Sequence, residues 1–376
     1  MPHESGNALH VGVKHKIAFG FIFLLVLLLA VVSLLPLIDS NQWWIRILDF
    51  PRLQEAIALL VLTVPVGLYF RYFQKMAGLA LFLIVSALSY HSFILFPYFP
   101  TGSDFSVADC PPGSDVSVMV ANVKMRNDPD GRLLDLVQKV QPDLLLAMET
   151  NAKWDEALAT LEGTMPHTIS HISDSYYGLH LFSRLPLVSP EIRFLAGQGT
   201  PQVVAGVTLD NGETIDFLGV HPHPPVPALP NTVLGRDAVL YEAALILRES
   251  QRTGILAGDL NATPWETAVE RMRRIGNLHD PRRGYGYVPT FSAKSWWMSW
   301  PLDQIFHEPD FATVSLERLP SFGSDHYPFV GRFCRIADAG GEPTTQAESE
   351  LITNAKEAIE TARQRTGKEA RQLAEP

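Results

Sequence analysis

Three long apolar runs open the chain, and shorter apolar runs separated by polar segments follow them. The long runs lie at about 17–38, 53–72 and 77–98. Each is long enough to cross a bilayer as a helix, and a helix satisfies its own backbone hydrogen bonds in lipid. The pattern therefore predicts that residues 1–100 form a membrane anchor with three transmembrane helices.

The first apolar run has an alternative interpretation as a cleavable signal peptide, because Lys14 and Lys16 precede it. The run is longer than a signal core, no small-residue cleavage site follows it, and two further runs come after it. We therefore favour the anchor. Lysine and arginine in the flanks favour a cytoplasmic N-terminus, which places the chain after residue 100 outside the cytoplasm. We expect a multi-pass protein of the cell (inner) membrane with an extracytoplasmic or periplasmic domain.

Residues 101–336 contain short apolar runs separated by turns, which is typical of strands with helices between them. The Asn211-Gly212 pair within residues 202–221 is a strong signal for a β-hairpin. The mixture predicts an α/β domain with partly antiparallel sheets and not a doubly wound parallel sheet. Strands are predicted at 115–122, 143–150, 178–184, 202–221, 253–259, 301–306 and 326–333, and helices at 131–141 and 231–250.

Composition separates a third segment and limits the function of the second. Residues 337–376 are rich in Ala, Glu, Gln, Lys and Arg, which predicts a disordered tail or a solvated helix. The chain carries a formal charge of −10 and shows no basic stripe. This balance argues against a dedicated DNA-binding protein, because such proteins neutralise phosphates with Lys and Arg.

The chain contains two cysteines, Cys110 and Cys334, which lie just outside strand-like runs at opposite ends of the soluble region. If the first and last strands pair in antiparallel fashion, the two thiols meet. A disulfide between them would fit an oxidising compartment outside the cytoplasm. The alternative is two unrelated thiols.

Polar side chains collect where the apolar runs end. Carboxylates and carboxamides are the oxygen ligands that Mg²⁺ and Mn²⁺ prefer, and imidazoles can transfer protons or donate to phosphate oxygens. If the strands lie side by side, these groups share one rim of the sheets. The residues are Asn122, Glu149, His221, Asp259, Asn261, Asp303, Asp325 and His326.

The motifs that carry these residues resemble those of the endonuclease/exonuclease/phosphatase superfamily, the metal-dependent phosphoesterases related to DNase I. The resemblance covers about 115–334 and is strongest in Gly-Asp-Leu-Asn at 258–261, followed by Ser-Asp-His at 324–326. It implies a two-sheet α/β sandwich after the three transmembrane helices, in a membrane-anchored, bacterial-type member. The first and last strands of this fold lie near each other, which also favours the disulfide. The motifs are VANV, LLLAMET, LFSRLPL, GVHPHP, GDLNATPWE, PLDQIF and GSDHYPFV.

The resemblance also implies a metal site for Mg²⁺ or Mn²⁺. Glu149 would be the principal ligand, Asn122 would lie beside it, and Asp325 would reach the same ion or a second one. Several members of the superfamily have an acid two residues after the first asparagine, whereas this chain has Lys124. That departure argues against a second metal ion.

The remaining motif residues would perform the chemistry. By resemblance, Asp259 orients or deprotonates the attacking water, and Asn261 holds a phosphate oxygen. His221 donates to the phosphoryl oxygens, and His326 pairs with an acid, for which Asp303 is the expected partner. A lone Asp-x-Asn after a strand is usually only a turn, so the assignment depends on all these residues occurring together.

Two further positions are candidates for substrate binding. Arg184 could serve a small phosphate, and Trp297, in a tryptophan-rich segment directly before Asp303, could stack on a substrate group. The tryptophans could equally rest at the membrane interface or pack within a loop. His223 competes with His221, but the predicted strand ends at His221, and prolines flank His223.

Three functions follow as hypotheses. The leading one is a membrane-anchored phosphoesterase that hydrolyses a phosphodiester or phosphomonoester, such as a lipid head group or small phosphodiester, by in-line attack of activated water. The second is an extracytoplasmic endonuclease or exonuclease acting on nucleic acid. The third is a non-catalytic binding module on the same fold.

Overall fold

The computed structural model divides the described chain into two compact units. One unit contains the three long apolar helices, and the other contains the strands together with the short segment 41–46. The predicted boundary near residue 100 therefore omits this segment, which belongs to the second unit because Arg46 is buried there against acidic side chains. The described residues are 12–100, 110–227, 232–336 and 346–374.

Helices account for all of the regular structure described in the first unit and for the outer layers of the second. The three longest helices before residue 100 coincide with the predicted apolar runs to within a few residues. The helices are α1 (Val13–Leu34), α2 (Trp43–Arg46), α3 (Arg52–Tyr69), α4 (Gln74–Leu95), α5 (Arg132–Val140), α6 (Ala152–Leu158), α7 (Thr232–Glu249), α8 (Thr267–Ile275) and α9 (Gln346–Ala374).

Three helices of the first unit are long and apolar enough to cross a membrane. With adjoining turns they cover Val13–Leu37, Arg52–Tyr69 and Gln74–Tyr98, with mean hydropathies of 3.1, 1.3 and 2.1. Small residues such as Ala80 on α4 are buried between the helices, whereas large apolar side chains such as Phe82 are exposed. An apolar outer surface of this kind is costly in water and suits lipid.

The second unit is built on two mixed sheets, as the sequence predicts. The six-stranded sheet has the order β10-β11-β1-β2-β4-β3, and the five-stranded sheet has the order β5-β6-β7-β8-β9. The strands are β1 (Asp115–Asn122), β2 (Leu144–Met148), β3 (His167–His171), β4 (Leu179–Ser183), β5 (Leu187–Arg193), β6 (Gln202–Thr208), β7 (Thr214–Val220), β8 (Gly254–Asp259), β9 (Asp303–His307), β10 (Phe311–Arg318) and β11 (Phe329–Arg335).

The two-residue period of the strands separates two cores. On β1, Val118 and Val120 point into the core between the sheets, whereas Met119 and Ala121 point to the outer core formed with α5 and α6. Helices α7, α8 and α9 cover the outer face of the five-stranded sheet. The central strands β1, β2, β7 and β8 are buried on both faces, so they are apolar runs that end abruptly in polar residues.

Helix α9 occupies part of the tail for which disorder or a solvated helix is predicted. The helix is not solvated on every side, because Ala355, Ile359 and Ala362 are buried in the core that contains α7. On its flank, Arg363 pairs with Glu242 at 2.8 Å. Small and apolar residues recur at helical spacing in this segment, and its many charges mask them in the composition.

The first and last strands in chain order, β1 and β11, lie next to each other in the six-stranded sheet and pair in antiparallel fashion. Asp115 on β1 lies opposite Cys334 on β11. Cys110 and Cys334 form a disulfide with a Cα–Cα distance of 5.7 Å. The bridge closes the domain between positions 224 residues apart in sequence.

Candidate active site

The polar ends of the strands lie along one rim where the two sheets meet. Asn122 ends β1, and Glu149 follows the parallel strand β2. His221 follows β7, and Asp259 ends the parallel strand β8, where it lies opposite Asp303 of β9. Parallel strands end at the same edge, so the fold brings these distant positions together.

Asn122 connects the two sheets through its amide group. Its Nδ2 donates to Glu149 Oε1 at 3.0 Å and to Asp259 Oδ2 at 3.1 Å. Its Oδ1 accepts from the backbone N–H of Lys124 at 3.0 Å, which fixes the orientation of the amide. The sequence predicts Asn122 as a metal ligand, and that role stays a prediction; in the structure its amide joins the carboxylates of Glu149 and Asp259.

Asp259 faces both imidazoles of the rim. Its Oδ2 lies 3.9 Å from Nε2 of His221 and 3.7 Å from Nε2 of His326. Nδ1 of His326 contacts Asp303 Oδ2 at 2.7 Å. Asp303, His326 and Asp259 are all buried and form a group whose ligand atoms lie within 4.8 Å of one another. The expected pairing of His326 with Asp303 is present.

The acids around His326 control its protonation. Burial by itself would lower the pKa of His326, but the carboxylates of Asp303 and Asp259 outweigh burial and raise the pKa to about 9. Burial also raises the pKa of Asp303, so the two groups share a proton that the Nδ1–Oδ2 contact holds between them. Asp303 holds one ring nitrogen, so the other points toward Asp259 as a proton donor.

Several site residues adopt backbone conformations that side chains rarely occupy. Glu149, Asn261 and Lys124 have φ values of 61°, 50° and 56°. Gly258, directly before Asp259, has φ +148°, and a Cβ there would lie 1.8 Å from the backbone oxygen of Val220. The Gly-Asp-Leu-Asn motif thus needs glycine at its first position to let β8 approach β7.

Asn261 and His221 are held by polar contacts next to the rim. Asn261 Nδ2 donates to the backbone oxygen of Pro222 at 2.9 Å, and its backbone N–H donates to Asp259 Oδ1 at 3.0 Å. The backbone N–H of His221 donates to Gln202 Oε1 at 2.7 Å. These bonds fix the loop after β8 against the segment that carries His221.

Asp325 and Lys124 form an ion pair, with Nζ of Lys124 2.5 Å from Asp325 Oδ2. The sequence predicts Asp325 as a metal ligand and identifies Lys124 as a departure from the family pattern. In the structure the two residues pair, so Oδ2 of Asp325 accepts a hydrogen bond from the Lys124 ammonium. The pKa of Lys124 is raised by this hydrogen bond.

The two candidate substrate-binding residues lie in different places. Arg184 follows β4, and Ser183 lies opposite Leu144 at the start of β2, so Arg184 is at the other end of the sheet from Glu149. The structure therefore does not bring Arg184 to the site. Trp297, 58% exposed, lies in the loop between Phe291 and Trp300, which borders the site.

Tyr177 is a site residue that the sequence analysis missed. Its hydroxyl contacts Nδ1 of His223 at 2.6 Å, and its ring lies 5.5 Å from that of His221. Burial raises the pKa of Tyr177 to about 12, and the nearby carboxylates of Glu149 and Asp259 add to the effect. The only available signal was a pair of tyrosines directly before the predicted strand 178–184.

The charge balance of the site fits a divalent cation. The side chains joined by these contacts comprise four acids, one lysine and the imidazole of His326. The acids outnumber the basic groups, and their oxygens are the hard donors that Mg²⁺ and Mn²⁺ prefer. Glu149, which shares the Asn122 amide with Asp259, is the carboxylate that would hold such an ion.

A two-sheet α/β sandwich with carboxylates and imidazoles at its strand ends has the DNase I-like fold of phosphoesterases. The model of the Endonuclease/Exonuclease/phosphatase family matches residues 119–326, and the chain belongs to this family. Members of the family hydrolyse phosphoesters and generally depend on a divalent metal ion. A search of curated proteins finds no match.

Solved structures with this fold are distant in sequence. TDP2 of D. rerio, complexed with single-strand DNA product, is 16% identical, covers 58% of this chain and 99% of its own, and has a TM-score of 0.51. An endonuclease/exonuclease/phosphatase from Beutenbergia cavernae is 18% identical, with coverages of 59% and 72% and a TM-score of 0.49. Sphingomyelinase C from Streptomyces griseocarneus is 16% identical, with coverages of 58% and 99% and a TM-score of 0.45.

Proposed function

We propose that the chain is a membrane-anchored phosphoesterase that uses Mg²⁺ or Mn²⁺ to hydrolyse a phosphodiester or phosphomonoester. The observation that carries this proposal is the position of Asp259, whose carboxylate faces the imidazoles of His221 and His326 within 4 Å. The acid, the two proton donors and the buried partner Asp303 form a connected set. A non-catalytic binding module would not require such an arrangement.

The chemistry is an in-line displacement at phosphorus. Asp259 accepts a proton from water as the oxygen of that water bonds to phosphorus, and the bond from phosphorus to the leaving oxygen breaks. His326, protonated through its contact with Asp303, donates to the phosphoryl or leaving oxygen, and His221 donates from the other side. A divalent cation bound at Glu149 would neutralise the negative charge that develops on the phosphoryl group.

Membrane anchoring is supported by the three helices with high hydropathy. Residues 41–46 fold into the same unit as the strands, and α3 and α4 separate them in sequence from that domain. If α3 and α4 each cross the membrane, the chain after α4 lies on the same side as residues 41–46. Together with α1, this gives three spans. The disulfide supports a location of the domain outside the cytoplasm.

The expected substrate is a lipid head group or a small phosphodiester. Trp296 and Trp297, 94% and 58% exposed, lie on a loop whose Ala293 backbone N–H donates to the backbone oxygen of Asp325 at 2.6 Å. Exposed tryptophans beside a site in a membrane-anchored chain favour contact with lipid interfaces. The net charge of −10 disfavours nucleic acid, which is the alternative substrate.

The test is a substrate panel on the full chain in detergent micelles or vesicles. We expect hydrolysis of bis-p-nitrophenyl phosphate and of a phospholipid with Mg²⁺ or Mn²⁺, and loss of hydrolysis with EDTA. Asp259→Asn and His326→Gln each lower kcat about a hundredfold or more. Asp128→Asn and His167→Gln, which change an exposed acid and a histidine of β3, are the matched controls.

The outcomes separate the hypotheses. Metal-dependent degradation of DNA without hydrolysis of phospholipid would establish the nuclease alternative. Equal rates in the wild type and in Asp259→Asn, or no turnover of any substrate in the panel, would leave the binding module and overturn the proposal. Loss of phospholipid hydrolysis alone in Trp296→Ala, with the soluble substrate unaffected, would support the lipid interface.

A further inference from the structure

A buried ion-pair network contacts the loop that follows Asp259 and carries Asn261. Arg236 of α7 pairs with Asp237 at 2.8 Å and with Glu266, at the start of α8. Both acids and Arg236 are at most 3% exposed. Arg236 thus serves two buried acids, and unbalanced charge in a buried region is costly.

The second cation of the network comes from a segment far away in sequence. Arg46, at the end of α2, has its Nη2 2.6 Å from Asp237 Oδ2 and its Nε 3.8 Å from Glu266 Oε1. Its side chain is buried, and α2 belongs to the same compact unit as α7 and α8. Arg46 and Arg236 thus both lie against the carboxylates of Asp237 and Glu266.

The network also holds the loop after β8. Arg236 Nη1 donates to the backbone oxygen of Asn261 at 2.9 Å, and Glu266 ends the same loop. The Asn261 backbone is itself strained, with φ of 50°. Arg236 therefore holds the loop at two points, the Asn261 carbonyl and the Glu266 carboxylate. It holds both only while its guanidinium is shared between them and Asp237.

We infer that Arg46 is a positioning residue for the catalytic loop: it shares the two buried acids with Arg236, which lets Arg236 also hold the Asn261 carbonyl and, through Asn261, position Asp259. Without Arg46, the two acids compete for Arg236 and draw its guanidinium away from the Asn261 oxygen. This inference rests on the proposed function. It also predicts that a fragment beginning after residue 100 has an impaired loop, because such a fragment lacks Arg46.

The experiment uses the full chain with Arg46→Met, Arg46→Lys and the double variant Arg46→Met with Asp237→Asn. The double variant removes one cation and one acid and so keeps the net charge of the wild type. Trp44→Ala, an exposed change in the same helix, is the matched control. Hydrolysis of the soluble substrate gives kcat and KM, and hydrogen–deuterium exchange of peptides covering 259–266 reports on the loop independently of activity.

We expect Arg46→Met to lower kcat about ten- to a hundredfold, since small displacements of a catalytic group have effects of this size. KM should change less than threefold, and exchange within 259–266 should rise while peptides of β10 and β11 stay unchanged. Arg46→Lys and the double variant should recover most of kcat and the loop protection. Trp44→Ala should match the wild type.

Two results would overturn the inference. One is unchanged exchange at 259–266 in Arg46→Met, whatever the activity. The other is failure of the double variant to recover the loop protection, which would indicate a general packing role for Arg46. If Arg46→Met does not fold, Arg46→Lys and the double variant are compared with each other. Loop protection in both supports the inference, and loop protection in Arg46→Lys alone overturns it. If the wild type hydrolyses nothing, the proposed function fails, but the exchange measurement still tests the inference.

Discussion

Removal of the disulfide should strongly destabilise the second unit, which carries the candidate active site and is called the catalytic unit below, while leaving its folded structure in place. Cys110 and Cys334 are 224 residues apart in sequence, and a cross-link over such a loop restricts the unfolded chain greatly. The chain-entropy relation gives about 5 kcal/mol for a loop of this length. Strands β1 and β11 are already paired beside the bridge, so the folded state needs little adjustment when the bridge is lost.

The assay is pulse proteolysis in increasing urea on the full chain in micelles, with and without a reductant. The free energy of unfolding of the catalytic unit should fall by several kcal/mol on reduction. The variant Cys110→Ala with Cys334→Ala should behave like the reduced wild type and should not respond to the reductant. A midpoint that does not move on reduction, with complete reduction verified by thiol labelling, would refute the reasoning.

Three further predictions concern the site. Wild-type activity should fall near pH 9 in a pH–rate profile, as His326 loses its proton. Asp303→Asn removes an acid that raises the pKa of His326, so this fall should move to lower pH by about one to two units. An alkaline fall that does not move would contradict the pairing of His326 with Asp303. Gly258→Ala should lower the melting temperature of the catalytic unit and abolish activity, because its Cβ collides with a backbone oxygen of β7; wild-type stability would refute the collision. Lys124→Asp places a second acid beside Asp325, so the number of Mn²⁺ ions bound per chain, measured by electron paramagnetic resonance, should rise from one to two. Lys124→Ala should leave the number at one. An unchanged number in Lys124→Asp would contradict the idea that the Lys124 ammonium takes the place of a second metal ion beside Asp325.

The sequence predicts the strands and their polar ends because both depend on local pattern. A buried strand is an apolar run in the sequence. A run that stops at Glu149 or Asp259 therefore indicates the end of a strand at the rim of a sheet, even when the neighbouring strands are not known. The two-sheet architecture and the family were predicted from the order of these motifs, and the fold and family comparison confirm them.

Contacts between distant side chains could not be predicted in the same way. The amide orientation of Asn122 depends on the backbone N–H of Lys124 and on two carboxylates from different strands. Arg184 occurs in a motif shared with the family, but the antiparallel pairing of β4 with β2 places it at the opposite end of the sheet. No periodicity in residues 41–46 indicates that Arg46 is buried among acids of α7 and α8.

The left-handed backbone at Glu149 and Asn261 has a consequence for the evolution of the domain. Glycine adopts this conformation without the penalty of about 1 kcal/mol or more that other residues incur, so glycine at either position would relieve backbone strain. A lineage released from selection for turnover would therefore drift toward glycine there and gain thermal robustness. Retention of the larger side chains at these two positions in other sequences would accordingly mark domains that still work as enzymes.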